Sequence, residues 1–239
     1  IWSYYILYYM NNLVLVRHGQ SQWNLERRFT GWADIDLTEQ GKLEAKKAGE
    51  LIKKLNIEFH SSFTSNLKRA VNSLDIILKI LNNQHIKVLK TQNLNERHYG
   101  GLTSLNKDET IKKYGNHQVQ LWRRSFDIPP PPMESTHPYK NIINTKILSE
   151  SLKDTFNRVV PYYEKNIKPL IFSNNNILIV FHGNSCRALL MKILDISEKK
   201  IIKFEIPTGN PLLIKFDGSK VRDCKYLDPK RSKKILFNI

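Results

Sequence analysis

Cysteine is scarce in this chain of 239 residues, which contains Cys186 and Cys224 and no others. Two cysteines so far apart match neither a disulfide framework nor the short spacing of a metal site, which favours a reducing compartment. The apolar segment 1–10 is far shorter than the roughly 20 residues of a membrane-spanning helix. It also lacks the basic start and cleavage site of a signal peptide. Because Met10 directly precedes the first predicted strand, we expect residues 1–10 to be an extension outside the fold.

Acidic residues are also few: 22 Asp and Glu stand against 38 Lys and Arg, a formal net charge of +16. Such a charge can attract nucleic acid or an acidic membrane surface. The lysines instead follow predicted helix faces, and no basic motif is interleaved with base-stacking aromatic residues. We therefore expect a solvated basic surface that attracts a small anionic substrate, without a nucleic-acid or membrane partner. No acidic cluster indicates a magnesium site, so no metal is expected.

Strand-like and helix-like segments alternate along the chain. Short apolar runs predict strands at 12–16, 58–64, 86–89, 176–181 and 211–216, the last of them the final strand. Helices are predicted after Thr38, after a Ser65 cap, and at 105–114, 119–124, 150–166 and 185–194. This alternation predicts an α/β fold, a three-layer sandwich with a mainly parallel central sheet flanked by helices on both faces.

Two segments interrupt this pattern within or after the predicted catalytic domain, residues 11–228. Residues 129–148 begin with four consecutive prolines, which cannot be helical and have little to bury. We expect an irregular surface segment there. After Leu227 the chain becomes basic, and residues 229–239 are expected to form a loosely ordered tail.

The strongest functional signal is a pattern that occurs twice. An apolar run leads into a His-Gly pair at His18 and again at His182. Parallel strands open their carboxyl ends on one edge of a sheet, where ligands bind, so both imidazoles are expected in one pocket. Ser65 and Glu96 also follow predicted strands and are expected at the same edge. A lone histidine after a strand is usually a loop residue, but repetition of the whole pattern favours a catalytic pair.

The residues around His18 suit phosphoryl transfer. A neutral imidazole whose second nitrogen donates to a carbonyl is a good nucleophile toward phosphorus. Arg17 is expected to lower the pKa of His18 and to bind the phosphoryl oxygens. Arg69 adds a second cation, and His182 is expected to donate to the same oxygens.

Glu96 is the expected general acid and base, because the leaving oxygen needs a proton in an otherwise basic pocket. The alternative role for Glu96 is a salt bridge to Arg97. Arginine suits bidentate contacts with anions, and further anionic groups of a substrate are expected to bind Arg97, Tyr99, Lys107, Arg123 and Arg124. For Lys107 an exposed helix lysine is an equal alternative.

Several motifs occur together in one known family. LVLVRHGQSQWN at 13–24 is followed by FTGW at 29–32, LNERHYG at 94–100 and HGNS at 182–185. With these motifs the chain resembles, over residues 13–227, the cofactor-dependent phosphoglycerate mutases of the histidine phosphatase superfamily. The RHG motif marks the superfamily, whereas FTGW, LNERHYG and WRR at 122–124 are typical of the mutases.

The resemblance implies interconversion of 3-phosphoglycerate and 2-phosphoglycerate in glycolysis and gluconeogenesis, with 2,3-bisphosphoglycerate as the cofactor that phosphorylates His18. Glu96 would exchange the proton, and His182, Arg17 and Arg69 would stabilise the transferred group. A homodimer or homotetramer in the cytoplasm is also implied. The residues expected to bind phosphoglycerate are Ser21, Asn24, Thr30, Gly31, Arg97, Tyr99, Lys107, Arg123, Arg124, Gly183 and Asn184.

The chain departs from the family pattern in three places. Gln20 stands where glutamate is common, segment 126–148 is shorter than in many members, and the tail after Leu227 is short. Because closure of the site excludes water, a reduced lid favours hydrolysis of the phosphohistidine.

Two alternative functions follow from these observations. A phosphatase on the same scaffold would let water take the phosphoryl group from His18, although the second set of cations favours the mutase. A basic binding module would account for the net charge, but it leaves the intact His18, Glu96 and His182 unexplained.

Overall fold

The computed structural model describes residues 11–232, and a six-stranded sheet runs through this part of the chain. Its strands are β1 (Asn11–Arg17), β2 (Ser61–Thr64), β3 (Lys87–Lys90), β4 (Ile177–Phe181), β5 (Leu212–Asp217) and β6 (Lys220–Tyr226). Their order across the sheet is β3-β2-β4-β1-β5-β6. The first four pair in parallel, whereas β5 and β6 run antiparallel to their neighbours. The prediction of a mainly parallel sheet is confirmed.

Helices form most of the connections between the strands. They are α1 (Gln22–Leu25), α2 (Glu39–Lys53), α3 (Lys68–Leu81), α4 (Lys107–Tyr114), α5 (Asn116–Arg124), α6 (Lys140–Ile143), α7 (Leu152–Tyr162), α8 (Lys168–Phe172), α9 (Gly183–Ile193) and α10 (Glu198–Ile201). A π-helical turn, Tyr163–Ile167, joins α7 to α8 and extends the helix predicted at 150–166. Within residues 11–232 no helix combines the length and the apolar character that crossing a bilayer requires.

Alternate side chains of the central strands face two different helix layers. Leu13 and Leu15 of β1 pack into a core cluster with residues of α7, α8 and α9. Val14 and Val16 point the other way and pack with residues of α2 and α3. Both faces of β1 and β4 are therefore buried, which explains their uninterrupted apolar sequences and confirms the three-layer sandwich.

The prediction that residues 211–216 form the last strand is wrong, because β6 follows β5 as an antiparallel hairpin partner. The sequence of β6, KVRDCKY, is charged at most positions and has no clear period-2 pattern. An edge strand needs only one hydrogen-bonded neighbour and one apolar face, and a register shift between Lys215 and Phe216 further disturbs the alternation.

The chain stays ordered where the predicted domain ends at Asp228, and the prediction of a loosely ordered tail is wrong for Arg231. Asp228 receives a hydrogen bond from Lys47 Nζ at 2.6 Å, and its backbone N–H donates to Asn210 Oδ1. Arg231 Nη2 donates to the Thr208 carbonyl at 2.7 Å. Residues 233–239, like the predicted extension 1–10, lie outside the described residues.

Segment 129–148 is irregular apart from α6, as predicted, but it is not free of burial. Met133 is 3% exposed, and the Pro131 carbonyl accepts a hydrogen bond from the Gly101 N–H. Tyr139 packs edge-on against Trp23 of α1. The segment therefore lies against the body of the protein.

Close contact between two glycines fixes the loop that follows β1. A Cβ atom on Gly41 of α2 would lie 2.0 Å from the Gln20 carbonyl oxygen, and one on Gly19 would lie 2.1 Å from the Gly41 oxygen. No side chain fits at either position without backbone movement. The loop that begins with His18 is thus held directly against α2.

We expect Gly41→Ala to destabilise the protein by about 1–3 kcal/mol, the usual cost of overpacking. That cost exceeds the roughly 1 kcal/mol by which alanine is favoured over glycine in a helix. Gly183→Ala in α9 is the matched control, since the nearest atom to its Cβ would be Arg17 Nε at an ordinary 3.5 Å. Urea unfolding of both variants measures the difference. Equal stabilities would contradict the proposed contact.

Candidate functional site

Parallel pairing of β1 with β4 sets two histidines side by side. Arg17 lies opposite Phe181 in the register, so His18 and His182 leave the sheet at the same edge. The His18 N–H donates to the Phe181 carbonyl at 3.0 Å, and the two imidazole centroids are 4.9 Å apart. The predicted meeting of the two imidazoles is confirmed.

His18 is buried, and the next residue sets its tautomer. Nδ1 lies 2.6 Å from the Gly19 carbonyl oxygen, which can only accept, so Nδ1 carries the proton and Nε2 keeps its lone pair. Arg69 Nε donates to Nε2 over a long 3.3 Å. Burial, Arg69 and Arg17 together hold the pKa of His18 well below its usual 6.5, so the ring is neutral at neutral pH.

His182 is fully buried behind His18, and its Nε2 lies 2.7 Å from Ser65 Oγ. Burial and the nearby Arg69 hold the pKa of His182 well below its usual value, so this ring is also neutral. The prediction that Ser65 caps α3 is wrong: Leu67 precedes the helix, and the Ser65 hydroxyl accepts from the Leu67 N–H. Ser65 belongs to the site instead.

Arg17 and Arg69 are held by backbone carbonyls. Arg17 Nη1 donates to the Ile206 carbonyl at 2.7 Å, whereas Arg17 Nε is buried without a partner among the described residues. Arg69 donates from Nη2 to Gly31 and from Nη1 to Ala33. Burial lowers the pKa of Arg69 to about 10, which still leaves it charged at neutral pH. Carbonyl partners orient these cations without neutralising them.

Glu96 is held by two backbone N–H groups. Its Oε1 accepts from Arg97 at 2.8 Å and from Asn184 at 3.0 Å. The alternative of a salt bridge to Arg97 is wrong, because the Arg97 side chain turns away and donates to the Arg123 carbonyl. The two hydrogen bonds fix the carboxyl group at the edge where β1 and β4 end.

These side chains border a cavity of about 430 Å³. Its walls are strongly basic and suit an anion with more than one charged group. Sequence-predicted site residues that line it are Arg17, His18, Asn24, Thr30, Gly31, Arg69, Glu96, Tyr99, Lys107, Arg123, Arg124, Gly183 and Asn184.

Three predicted site residues lie behind the walls. Ser21 is buried and caps α1 by accepting from the Asn24 N–H. Arg97 is fully buried, with its guanidinium carbon 4.7 Å from the centre of the Tyr99 ring. His182 lies beneath His18. In this structure these three support neighbours that line the cavity.

Sequence reasoning missed the cavity wall formed by residues 204–207, together with single residues on other walls. Arg187 lies one turn after Asn184 on α9 and donates to its Oδ1 at 2.9 Å. This i,i+3 spacing was a signal that could have identified Arg187. The other missed lining residues are Arg28, Phe29, Phe204, Glu205, Ile206, Pro207, Arg231 and Ser232.

Tyr99 and Lys107 are coupled to the neighbouring charges. Burial raises the pKa of the Tyr99 phenol, but the Arg97 guanidinium and the Lys107 ammonium together lower it by more, and the pKa falls to about 8. The phenol oxygen also accepts from Asn184 Nδ2 at 3.2 Å. Burial lowers the pKa of Lys107, which is half-buried in the wall, so the alternative of an exposed helix lysine is wrong.

Arg158 of α7 holds the loop that carries Glu96 in place, and we call this contact the clamp. Its guanidinium pairs with both oxygens of Glu150, at 2.8 and 2.9 Å, and both side chains are at most 10% exposed. The same guanidinium donates to the carbonyls of Asn93 and Glu96. Glu150 in turn accepts from the His98 N–H. The position of Glu96 therefore depends on this buried pair.

Within residues 11–232 no three His, Cys, Asp or Glu side chains are grouped so that they could hold a metal ion. The donor groups around the cavity are arginine and lysine nitrogens, imidazoles and backbone N–H groups. Such a donor set binds anions.

We expect Arg158→Met to cost about 3–5 kcal/mol, because it leaves the buried Glu150 unpaired. Arg222→Met is the matched control: Arg222 pairs with Asp217 but is 62% exposed, so its loss should cost at most about 1 kcal/mol. Urea unfolding of each variant gives the two values. Similar costs for the two variants would show that the buried clamp has no special role.

Comparison with known proteins agrees with this geometry. A sequence profile of the histidine phosphatase superfamily (branch 1) matches residues 13–226. The 2,3-bisphosphoglycerate-dependent phosphoglycerate mutase of Maricaulis maris is 45% identical over 237 residues, which cover 95% of this chain and 98% of that protein. The enzyme of that name from Dichelobacter nodosus is 50% identical over 217 residues, 87% of this chain and 88% of its own length.

Solved structures show the same fold. A phosphoglycerate mutase from Bacillus anthracis aligns with a TM-score of 0.65 at 21% identity and covers 89% of this chain and 91% of that one. A mycobacterial glucosyl-3-phosphoglycerate phosphatase aligns with a TM-score of 0.69 at 19% identity, covering 91% and 97%. The chain therefore belongs to the histidine phosphatase superfamily and, within it, to the family of the 2,3-bisphosphoglycerate-dependent phosphoglycerate mutases.

Proposed function

We propose that this protein interconverts 3-phosphoglycerate and 2-phosphoglycerate through a phosphohistidine at His18. The observation that carries the proposal is His18 itself, a buried neutral imidazole tied to Gly19 through Nδ1 and lining a basic cavity. Identities of 45% and 50% to enzymes named as mutases support the choice of substrate.

The first proposed step is attack of His18 Nε2 on phosphorus. A nitrogen–phosphorus bond forms while the bond from phosphorus to the departing oxygen breaks. The ring becomes cationic as Nε2 gives up its lone pair, and the hydrogen bond from Nδ1 to the Gly19 carbonyl stabilises that charge. The low pKa of His18 keeps the lone pair available at neutral pH.

Glu96 is proposed to exchange the proton that this step requires. The departing oxygen takes a proton from the Glu96 carboxyl group, and the attacking hydroxyl returns one when the transfer is reversed. Both hydrogen bonds to the carboxyl group end on Oε1. Oε2, which takes neither of them, is the oxygen we assign to proton exchange.

Arg17, Arg69 and His182 are proposed to stabilise the transferred phosphoryl group. Arg17 Nε is buried without a partner among the described residues, so an anion would satisfy it. The residues thus fit 2,3-bisphosphoglycerate, which supplies the phosphoryl group for His18 when bound. Phosphate oxygens would replace the long contact between Arg69 Nε and His18 Nε2.

The rest of the cavity is proposed to hold the remaining anionic groups of phosphoglycerate. Ser21 and Arg97 are assigned a supporting role from behind the wall. A second group of cations is what distinguishes a mutase from a simple phosphatase on this scaffold. The proposed contact residues are Asn24, Thr30, Gly31, Tyr99, Lys107, Arg123, Arg124, Gly183 and Asn184.

One observation favours a phosphatase side reaction. The described segment 126–148 contributes no residue to the cavity walls, so it does not cover the site in this structure. Water that reaches phosphorylated His18 would hydrolyse it. We therefore propose mutase activity accompanied by slow phosphate release.

The deciding experiment measures 2-phosphoglycerate and free phosphate in one tube, starting from 3-phosphoglycerate. Reactions run with and without trace 2,3-bisphosphoglycerate, in excess chelator. We expect cofactor-stimulated, chelator-resistant isomerisation that exceeds phosphate release. Phosphate release without 2-phosphoglycerate would make the protein a phosphatase, and neither signal from folded protein would favour the binding module.

His18→Ala tests the assigned nucleophile in the same assay. We expect loss of phosphoenzyme and a fall in turnover of about 10⁴-fold or more, since no other side chain offers that nitrogen. His85→Ala is the control, because His85 is exposed in the turn that follows α3 and does not line the cavity. Labelled phosphate retained by the His18 variant would overturn the assignment.

A titration tests the electrostatics at His18. Because the pKa is lowered in the folded protein, the His18 ring should stay neutral as the pH falls through 6.5, and unfolding should become easier below that pH. Stability falls below pH 6.5 because the unfolded state binds more protons there than the folded state does. NMR of the histidine rings measures the titration midpoint of His18. We expect Arg69→Gln to move that midpoint to higher pH. A wild-type midpoint at or above 6.5 would contradict this account.

The assembly and location remain predictions. A homodimer or homotetramer in the cytoplasm, acting without a metal, is what the family resemblance implies. The chelator arm of the assay tests the metal requirement, and light scattering tests the assembly.

A further inference from the structure

One carboxylate in the cavity wall has no role in the proposed mechanism. The walls formed by the described residues carry two acidic side chains, Glu96 and Glu205. Glu205 lies in the connection between α10 and β5, on the wall that sequence reasoning missed. A carboxylate in the wall of an anion-binding cavity repels the anionic ligand, so the presence of Glu205 requires an explanation.

Glu205 forms an ion pair with Arg124, one of the cationic side chains proposed to bind the substrate. Arg124 Nη2 donates to Glu205 Oε1 at 2.6 Å. Arg124 is the last residue of α5, so this contact joins two separate walls of the cavity. Arg124 is 27% exposed and Glu205 is 60% exposed, and a single hydrogen bond joins them.

The backbone on either side of Glu205 is anchored. Arg17 Nη1 holds the Ile206 carbonyl, and Arg187 Nη2 holds the Ile201 carbonyl at 2.8 Å. Both arginines line the cavity themselves. The Glu205 side chain, in contrast, is exposed and can rotate away without moving that backbone.

We propose that Glu205 is an internal counter-anion, which holds Arg124 in the ligand-free protein and is displaced by the second anionic group of the substrate. The proposal rests on the proposed function and adds a residue that sets substrate affinity. Glu205 keeps Arg124 extended toward the cavity but makes every ligand of Arg124 compete for it. It therefore weakens substrate binding and speeds release, while the chemistry at His18 is unaffected.

Glu205→Gln keeps the shape of the side chain and removes the competing charge. Exposed ion pairs are weak, so we expect the KM for 3-phosphoglycerate to fall about two- to fivefold, without an increase in kcat. The difference should shrink in high salt, which screens the pair. Glu198→Gln is the matched control, since it removes the same charge from an exposed site on α10 outside the cavity lining.

A double-mutant cycle separates competition from a general charge effect. With Arg124→Gln present, Glu205→Gln should no longer change KM. An equal effect of Glu198→Gln would overturn the proposal in favour of net charge. A higher KM for Glu205→Gln would overturn it in favour of Glu205 as a residue that only positions Arg124.

Calorimetry keeps this test independent of turnover. The dissociation constant of 3-phosphoglycerate is measured in the His18→Ala background, with and without Glu205→Gln, and we expect tighter binding with glutamine. If wild-type protein isomerises nothing, the proposed function fails, but the calorimetric comparison still decides the role of Glu205. Unchanged binding would overturn the counter-anion proposal.

Discussion

The parallel pairing of β1 with β4 is the constraint on which the site depends. Both strands are buried on both faces, so a slip of one residue would exchange their two sets of core side chains. The register that protects the core also places His18 beside His182. The spacing of the two imidazoles is thus maintained by packing energy from the whole sheet, and the loop itself needs little intrinsic stability.

The second constraint is the burial of positive charge without neutralisation. Arg17 and Arg69 are held by carbonyl oxygens, so their positive potential remains directed at a ligand. Arg158 differs from these two arginines, because its charge is neutralised by Glu150. Its role is to hold the loop that carries Glu96 in position. Burial, together with this potential, keeps both imidazoles neutral, which is the state a phosphorus nucleophile requires.

The parts of the molecule that sequence could predict are local. An apolar run that ends in His-Gly predicts a strand and its functional end, and Thr38 predicts the start of α2, because neighbouring residues determine both. Glu205, Arg231 and the clamp by Arg158 depend on contacts between distant segments that no local pattern encodes. The edge strand β6 escaped prediction for a related reason. It is held in place by its pairing with β5, and its sequence lacks the apolar alternation that a half-buried strand usually shows.

The balance between transfer and hydrolysis follows from how this cavity retains its ligand. Segment 126–148 packs beside the cavity without lining it, so this segment does not exclude water from the site. In the proposed mechanism, phosphoglycerate must outcompete water at phosphorylated His18 by staying bound, which would depend on the charge contacts proposed for Lys107 and Arg123. Glu205 acts against that retention, because it offers Arg124 another partner. Tight retention protects the phosphohistidine but delays product release, so a weak internal counter-anion moves the enzyme toward faster exchange at the cost of some hydrolysis.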